Sequence, residues 1–375
     1  MAMGPVWALG LMSGTSMDGI DGAAVLTDGV DIQGFGPKRF EPYAPEVRKA
    51  IRAALGTWES HGGEVASLIT RAHGDMITYF PTVEVAGFHG QTLSHEPQGR
   101  GTLQAGDGMA LAQATGKRVV WDFRTADVAS GGEGAPLIPF FHHACARMLG
   151  LSAPVAFLNI GGVGNVTWVD PLVAAPEALG AVVAFDTGPG NALIDDLVAQ
   201  AGQGQMDEGG AMAATGTVDE GLVAEVLADP YFERPPPKSL DRNHFAWVVA
   251  RVAGHFLPDA LATLSAITSA SIAAALRHMP EPPSQWLVGG GGRHNATVMG
   301  GVQARSNTSI APVEAVGLDG DFLEAQAFAW LAVRVERGLP TSGPTSTGAR
   351  LPVSGGRISY PDTPDPVLAA VEQSL

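Results

Sequence analysis

Two patterns of hydrophobic and polar positions alternate along this chain. Short apolar runs of strand length lead into glycine-rich polar loops, and longer stretches repeat their apolar residues at helical spacing. Residues 6–12 form a continuous apolar run that enters MSGTSMDGID, residues 12–21. A second short run, 20–26, ends at the turn signal Asp28-Gly29, and a third spans 30–40. This predicts strand, loop, strand, turn, strand: a meander. Helices are expected at 45–55, 63–79, 111–115 and 139–149, and strands at 84–88, leading into HGQTLSHEP, and 118–122. The second half repeats the opening move. An apolar strand at 154–159 runs into NIGGVGN and a further strand at 166–169, then a buried strand at 180–185 ends at Asp186 before TGPGN. Helices follow at 192–200, 245–279 and 318–337; a strand at 286–288 enters GGGGRHN, and the tail after Gly338 reads as mostly irregular.

Two halves, each headed by a hairpin with a glycine-rich tip, predict a two-lobed α/β protein with a cleft between the lobes. The length, 375 residues, favours two domains. The expected lobes are 1–149 and 150–375, with room for the C-terminal segment to pack back on the first. Hydrophobic residues make up 45% and charged ones 16%, enough for sizeable cores, and 49 glycines with 27 prolines fit many tight loops. The net charge of −16 repels nucleic acid and anionic membrane at long range, and no basic stripe offsets it. The single cysteine, Cys145, excludes an intrachain disulfide framework and cysteine-rich zinc sites. No basic leader with a cleavage pattern opens the chain, and no uninterrupted apolar run reaches ~18 residues, so a cytoplasmic protein is expected.

The first loop raises the question of phosphate binding. A Walker loop or dinucleotide fingerprint needs a strand followed by a helix. Here a second strand follows and the Walker lysine is absent, which disfavours both designs and, with them, a dehydrogenase. Backbone N–H groups at two glycine-rich hairpin tips can instead wrap a polyphosphate without bulky side chains in the way.

In order along nearly the whole chain, MSGTSMDGID, HGQTLSHEP, DFRTADVASGGEGAPLIPFFHHA, LNIGGVGNVT, FDTGPGN, PPPKS, VGGGGRHN and GDFLEAQAFAWLA resemble the anhydro-N-acetylmuramic acid kinases. After PPPKS the chain reads LDRNHF, where that family commonly has TGRE. The resemblance implies the actin/sugar-kinase/Hsp70 ATPase fold. It also implies an ATP- and Mg²⁺-dependent reaction in cell-wall recycling, in which 1,6-anhydro-N-acetylmuramic acid becomes N-acetylmuramic acid 6-phosphate. The expected partner is that sugar, and the reading leaves room for a homodimer. Alternatives are a kinase for another 1,6-anhydro sugar such as levoglucosan, and a non-catalytic sugar or ATP sensor.

Site residues follow from this reading. The first loop, Gly14, Thr15, Ser16, Met17, Asp18, Gly19, Ile20 and Asp21, presents N–H and hydroxyl groups to phosphate, and Asp18 and Asp21 hold Mg²⁺ directly or through water. Asn159, Gly161 and Gly162 form the second half of the clamp. Gly289, Gly290, Gly291 and Gly292 permit close approach of a flat group or ribose, the position that contacts adenosine in this fold class. Asp186 is the expected general base that activates water at the anomeric carbon. Arg124 pairs with the lactyl carboxylate, and His89, Gln91 and Glu324 line the sugar site.

Overall fold

A computed structural model describes residues 4–14, 16–58 and 63–362. The chain divides into two compact units, Met1–Met148 with Phe322–Leu375, and Leu149–Asp321. The second is therefore shorter than the 150–375 span read from the sequence, because the last long helix packs on the first sheet.

In the first unit the predicted meander forms as β1 (Val6–Ser13), β2 (Gly19–Thr27) and β3 (Ile32–Pro42). Next come α1 (Pro45–Ala54), α2 (Glu64–Thr78), β4 (Val85–Glu96), β5 (Gly101–Ala105), α3 (Gly108–Thr115), β6 (Arg118–Trp121), α4 (Thr125–Ala129) and α5 (Pro139–Met148). α1 starts with Pro45 in its first turn and buries Val47, Ile51 and Ala54, one face at helical spacing. The Asp107 carboxylate caps α3 by accepting from the N–H groups of Met109 and Ala110, and Gly116 closes it in the left-handed conformation. The expected strand at 84–88 continues through HGQTLSHE and turns back as β5, a hairpin the sequence reading did not anticipate.

The second unit holds β7 (Val155–Ile160), β8 (Val163–Val169), β9 (Val182–Pro189), α6 (Ala192–Gln200), α7 (Glu220–Leu227), α8 (Trp247–Val252), α9 (Leu257–Ala274), β10 (Gln285–Gly289), α10 (Ala296–Ser306) and β11 (Ser309–Pro312). The helix expected over 245–279 is broken between α8 and α9, where Pro258 starts a new first turn. β9 does not stop at Asp186. It carries on through Thr187 to Pro189, paired with β8 across a bulge next to Gly164. The stretch Leu257–His278 is long and apolar enough to cross a membrane, but 78% of its most apolar window is buried, as befits a core helix. The chain then returns to the first unit with α11 (Leu323–Glu336) and β12 (Arg357–Ser359).

Both sheets share one plan. The first runs β12-β6-β4-β1-β2-β3, with β1–β2 and β2–β3 antiparallel and β1–β4–β6 parallel. The second runs β11-β10-β7-β8-β9, again with an antiparallel meander on one side of its first strand and parallel strands on the other. This duplicated order is the actin-like ATPase topology. Glycines seat α11 directly on the first sheet: a Cβ on Gly10 would overlap the Ala325 carbonyl, and one on Gly87 the Phe328 carbonyl. The helix buries Phe328 and Leu331, each worth roughly 1.5–3 kcal/mol, and Trp330, whose ring lies 6.0 Å from that of Phe141 in α5.

Candidate functional site

The first hairpin tip is held from below by side chains. Ser13, the last residue of β1, donates to the Gln91 amide oxygen and accepts from the Tyr43 hydroxyl at 2.8 Å. The Gln91 amide nitrogen donates to the Gly14 carbonyl at 3.1 Å. Gln91 is thus committed at both ends of its amide to the loop. Within the loop the Ser16 hydroxyl donates to Asp18 at 2.7 Å, and Met17 adopts a left-handed conformation, φ 56°. Ile20 is buried in the core and Met17 packs against it, so both offer only backbone outward. Gly19 has an internal reason to be glycine, since a Cβ would strike the Glu41 carbonyl. Gly14 has none: its nearest obstacle is the Ser16 hydroxyl at 3.6 Å. Thr15 lies outside the described residues.

Asp18 is exposed and Asp21 half-buried, on either side of the start of β2. No group of three histidines, cysteines or acids forms a metal cage among the described residues. Two carboxylates offering hard oxygens, with water completing the shell, is a donor set that suits Mg²⁺.

Arg124 stands at the end of the segment after β6. His89 is 3% exposed, and its Nδ1 lies 2.7 Å from the Gly90 carbonyl, so that nitrogen carries the proton. Nε2 is left as an acceptor for Arg124 Nε at 3.1 Å and Nη2 at 2.9 Å. Burial and the neighbouring guanidinium both depress the His89 pKa, in that order, which keeps the ring neutral. Arg124 Nη1 donates to the Gly134 carbonyl at 2.6 Å. Three of the five guanidinium N–H groups are thereby used, leaving two for an anion. Burial lowers the Arg124 pKa to about 10, with Glu324 and Asp127 opposing. Glu324, in the first turn of α11, keeps solvent access, while the protein crowded around it raises its carboxyl pKa and Arg124 pulls the other way. Asp127 is fully buried and accepts from Gly134 N–H and from the hydroxyls of Ser342 and Thr347. It fastens the SGGEGAP turn to the tail after Gly338.

The second hairpin tip is held by backbone. The Gly161 carbonyl accepts from Asn191 N–H at 2.7 Å, and the Gly162 carbonyl from Gly190 N–H at 3.0 Å. Gly190 must be glycine, because a Cβ would meet the Gly161 carbonyl. Of the four glycines after β10, Gly290 (φ 71°) and Gly292 are required by the close approach of Asn159 and Ile160. Gly289 has open space around its Cβ position and Gly291 meets only the Asn191 amide nitrogen at 3.9 Å, which leaves room for a ligand to approach. Arg293, its side chain 5% exposed, pairs with Glu314 and Asp321 and donates to the Gly290 carbonyl at 2.9 Å, fixing that turn.

Asp186 is gripped by one segment at three points. Its N–H donates to the Lys238 carbonyl at 3.0 Å, its carbonyl accepts from the Tyr231 hydroxyl at 2.6 Å, and Oδ2 accepts from Leu240 N–H at 2.8 Å. Burial raises its pKa to about 6, opposed by the Leu240 N–H and by Lys238. At neutral pH it is ionised and basic enough to take a proton. Of the gripping residues, only Lys238 lies in a motif that the sequence marks, PPPKS. A groove of about 820 Å³ between α2 and α3, lined by Arg71, Asp75 and Lys117 among others, touches none of these residues.

The family model described as anhydro-N-acetylmuramic acid kinase matches residues 6–361. The anhydro-N-acetylmuramic acid kinase of Cereibacter sphaeroides is 56% identical over 96% of this chain and 97% of its own length. That of Ruegeria sp. strain TM1040 is 53% identical over 96% of both. Among solved structures, the activator of 2-hydroxyisocaproyl-CoA dehydratase from Clostridium difficile with bound ADPNP aligns at 10% identity and TM-score 0.46, covering 88% of this chain and 96% of its own. A ROK family glucokinase from Streptomyces griseus with glucose and AMPPNP aligns at 14% identity and TM-score 0.36, covering 87% and 99%. With the family model over residues 6–361 and the two anhydro-N-acetylmuramic acid kinases at 53–56% identity, the chain belongs to the anhydro-N-acetylmuramic acid kinase family and is a kinase.

Proposed function

We propose that this kinase opens 1,6-anhydro-N-acetylmuramic acid with water and phosphorylates the freed O6 from ATP, giving N-acetylmuramic acid 6-phosphate and ADP in peptidoglycan recycling. The observation that carries the proposal is the Asp186 carboxylate, held by Leu240 N–H and raised by burial to about 6. An anhydro sugar has its O6 tied to carbon 1, so it has no free hydroxyl there to receive phosphate. Asp186 takes a proton from water as that water bonds to carbon 1, the bond from carbon 1 to O6 breaks, and O6 attacks the γ-phosphorus as its bond to the bridging oxygen of ADP breaks. One base thereby serves both bond changes.

The other residues fall into roles by their chemistry. Arg124, oriented by neutral His89, presents its two remaining N–H groups to the lactyl carboxylate, and Glu324 accepts from sugar hydroxyls. Gln91, with both ends of its amide committed to the first hairpin tip, supports the phosphate loop instead of touching the sugar. Gly14, Ser16, Asp18 and Gly19 on the first tip, with Asn159, Gly161 and Gly162 on the second, bind the phosphates; Gly289 and Gly291 admit the adenosine. Asp18 and Asp21 would hold Mg²⁺, which neutralises phosphate charge when bound.

A carboxylate-bearing substrate is favoured over levoglucosan by the two free Arg124 donors. Running the reaction in ¹⁸O-water tests the order of events. Label at carbon 1 of the product is expected; label in the 6-phosphate overturns the scheme.

A further inference from the structure

Lys238 is a cation in an unusual setting. Its side chain is almost fully buried, the residue being 6% exposed, yet it makes no ion pair among the described residues. Its Nζ donates to the Tyr231 carbonyl at 3.1 Å and lies over the rings of Tyr231 and Phe185, 4.6 and 5.6 Å from their centroids. The His278 Nε2 is 3.3 Å away, but that nitrogen is also 2.7 Å from the Phe232 carbonyl, to which it donates. Burying an ammonium without a carboxylate partner costs stability. Something other than stability accounts for it.

The hydrogen bonds close a ring around Asp186. Tyr231 O–H reaches the Asp186 carbonyl, Asp186 N–H reaches the Lys238 carbonyl, and Lys238 Nζ returns to the Tyr231 carbonyl. Leu240, two residues on, supplies the N–H that holds the carboxylate. The ammonium therefore joins the two ends of the one segment that grips Asp186, and Phe185, the residue before Asp186, lies beneath it. We propose that Lys238 is a positioning residue for the reaction, its buried ammonium tying residues 231 and 238 together so that the Leu240 N–H and a nearby positive charge are fixed around the Asp186 carboxylate. The inference rests on the reading of Asp186 as the base.

The charged surroundings are mixed. Arg234 and Arg277 disfavour the ammonium, after burial itself, and Glu233 and Asp186 favour it; together they bring Lys238 to about 8. Around Asp186 itself the opposing influences are the Leu240 N–H and Lys238, with the Tyr231 hydroxyl un-ionised. Removing the charge thus leaves the Leu240 N–H as the group favouring the ionised Asp186 carboxylate among the described residues.

Lys238→Met keeps the length of the side chain and removes the charge. We expect kcat to fall by about 10- to 100-fold, as for a base displaced by a fraction of an ångström. KM for ATP should be unchanged. The acid limb of the pH–rate profile, near pH 6 in the parent enzyme, should rise by about one pH unit. A purely structural lysine would lower the melting temperature and leave that limb in place, and near-normal kcat with an unmoved limb overturns the proposal. Should Lys238→Met fail to fold, Tyr231→Phe decides. It breaks the ring at the Asp186 carbonyl while keeping the aromatic face under the ammonium, and should lower kcat several-fold at constant KM for ATP; unchanged kcat overturns the proposal. Asp186→Asn, measured in parallel, separates the two ideas. If it turns over near-normally the base reading fails; if it is inactive while Lys238→Met is normal, only the present inference fails.

Discussion

The two units build the same meander and then place their acids on different strands. The third residue of β2 is Asp21, paired with Met12 on β1 and Phe40 on β3. The third residue of β8 is Asn165, paired with Asn159 on β7 and Asp186 on β9. Each row has one carboxylate. In the first unit it sits half-buried on the middle strand, beside the loop. In the second it sits on the outer strand, under the segment 231–240 that buries it and raises its pKa. Phe40, at the matching place in the first unit, is 45% exposed. A repeated backbone thus supplies equivalent positions, and the covering segment decides which carboxylate has its pKa raised.

The largest effect expected is at Asp186. Asp186→Asn keeps the shape and removes the basic oxygen, and loss of a positioned base lowers kcat by about 10²–10⁴-fold. ATP affinity by calorimetry should be nearly unchanged. If Asp21→Asn matched it in kcat at saturating Mg²⁺ while Asp186→Asn did not, the roles of the two rows would be reversed.

How much of this was legible in the sequence depends on how local each feature is. Both hairpins were readable, because an apolar run, a glycine-rich tip and a second run are contiguous in sequence. Asp186 stood out as a carboxylate ending an apolar run, but the strand continues past it: Gly188 and Pro189 read as a turn, while pairing with Val163 and Gly164 makes them strand. That the C-terminal segment can return to the first lobe was legible, but the seat of α11 was not, since Gly10 and Gly87, which admit it, lie more than 200 residues away in the chain. Nor was the use of His89, where a ring between a carbonyl and a guanidinium is defined only by partners distant in sequence. The same holds for Lys238, whose ring of bonds spans residues 186–238.

The units should also differ in acid. The first buries His73, brought to about 4, and His142, to about 3, both by desolvation, and His89 is depressed as well. A folded state that excludes protons from histidine contributes stability that is present above the ordinary value of 6.5. That stability is lost as pH falls from there toward 4 and below, on the order of 2 kcal/mol for one such histidine. Asp186 runs the other way. Its raised pKa contributes stability below 3.8 that is lost as pH rises through about 6. Hydrogen exchange at pH 7 and pH 5 should therefore show α2 and α5 losing protection while β7–β9 do not. Equal loss in both units would mean that these histidines are solvated in the native state.

Arg124 comes next in size. A charge-assisted pair with a partly desolvated carboxylate is worth roughly 1.5–3 kcal/mol, so Arg124→Ala should raise KM for anhydro-N-acetylmuramic acid by about 10- to 150-fold. Any residual turnover of levoglucosan, which has no carboxylate, should be affected far less. His89→Phe removes the acceptor that aims the guanidinium and should produce a smaller effect in the same direction. Equal penalties on both sugars would show that Arg124 reads something other than the lactyl group.

The smallest effects sharpen the comparison most, because they separate glycines kept for the fold from glycines kept for a ligand. A Cβ on Gly14 meets only the Ser16 hydroxyl at 3.6 Å, and one on Gly162 meets Ala192 at 3.6 Å and Arg242 at 3.7 Å, all ordinary contacts. Neither glycine has a positive φ. Alanine at either tip should therefore change stability by no more than about 0.5 kcal/mol. If both tips bind phosphate, each substitution still places a methyl group where backbone N–H groups must approach oxygen, and KM for ATP should rise several-fold in both. Gly19→Ala and Gly190→Ala are the matched controls, since their Cβ atoms would strike the carbonyls of Glu41 and Gly161 and must displace backbone. They should lower the melting temperature clearly, as overpacking against a fixed neighbour does. A rise in KM for Gly14→Ala without one for Gly162→Ala would confine phosphate recognition to the tip held by side chains, and would leave the tip held by backbone as an inherited turn.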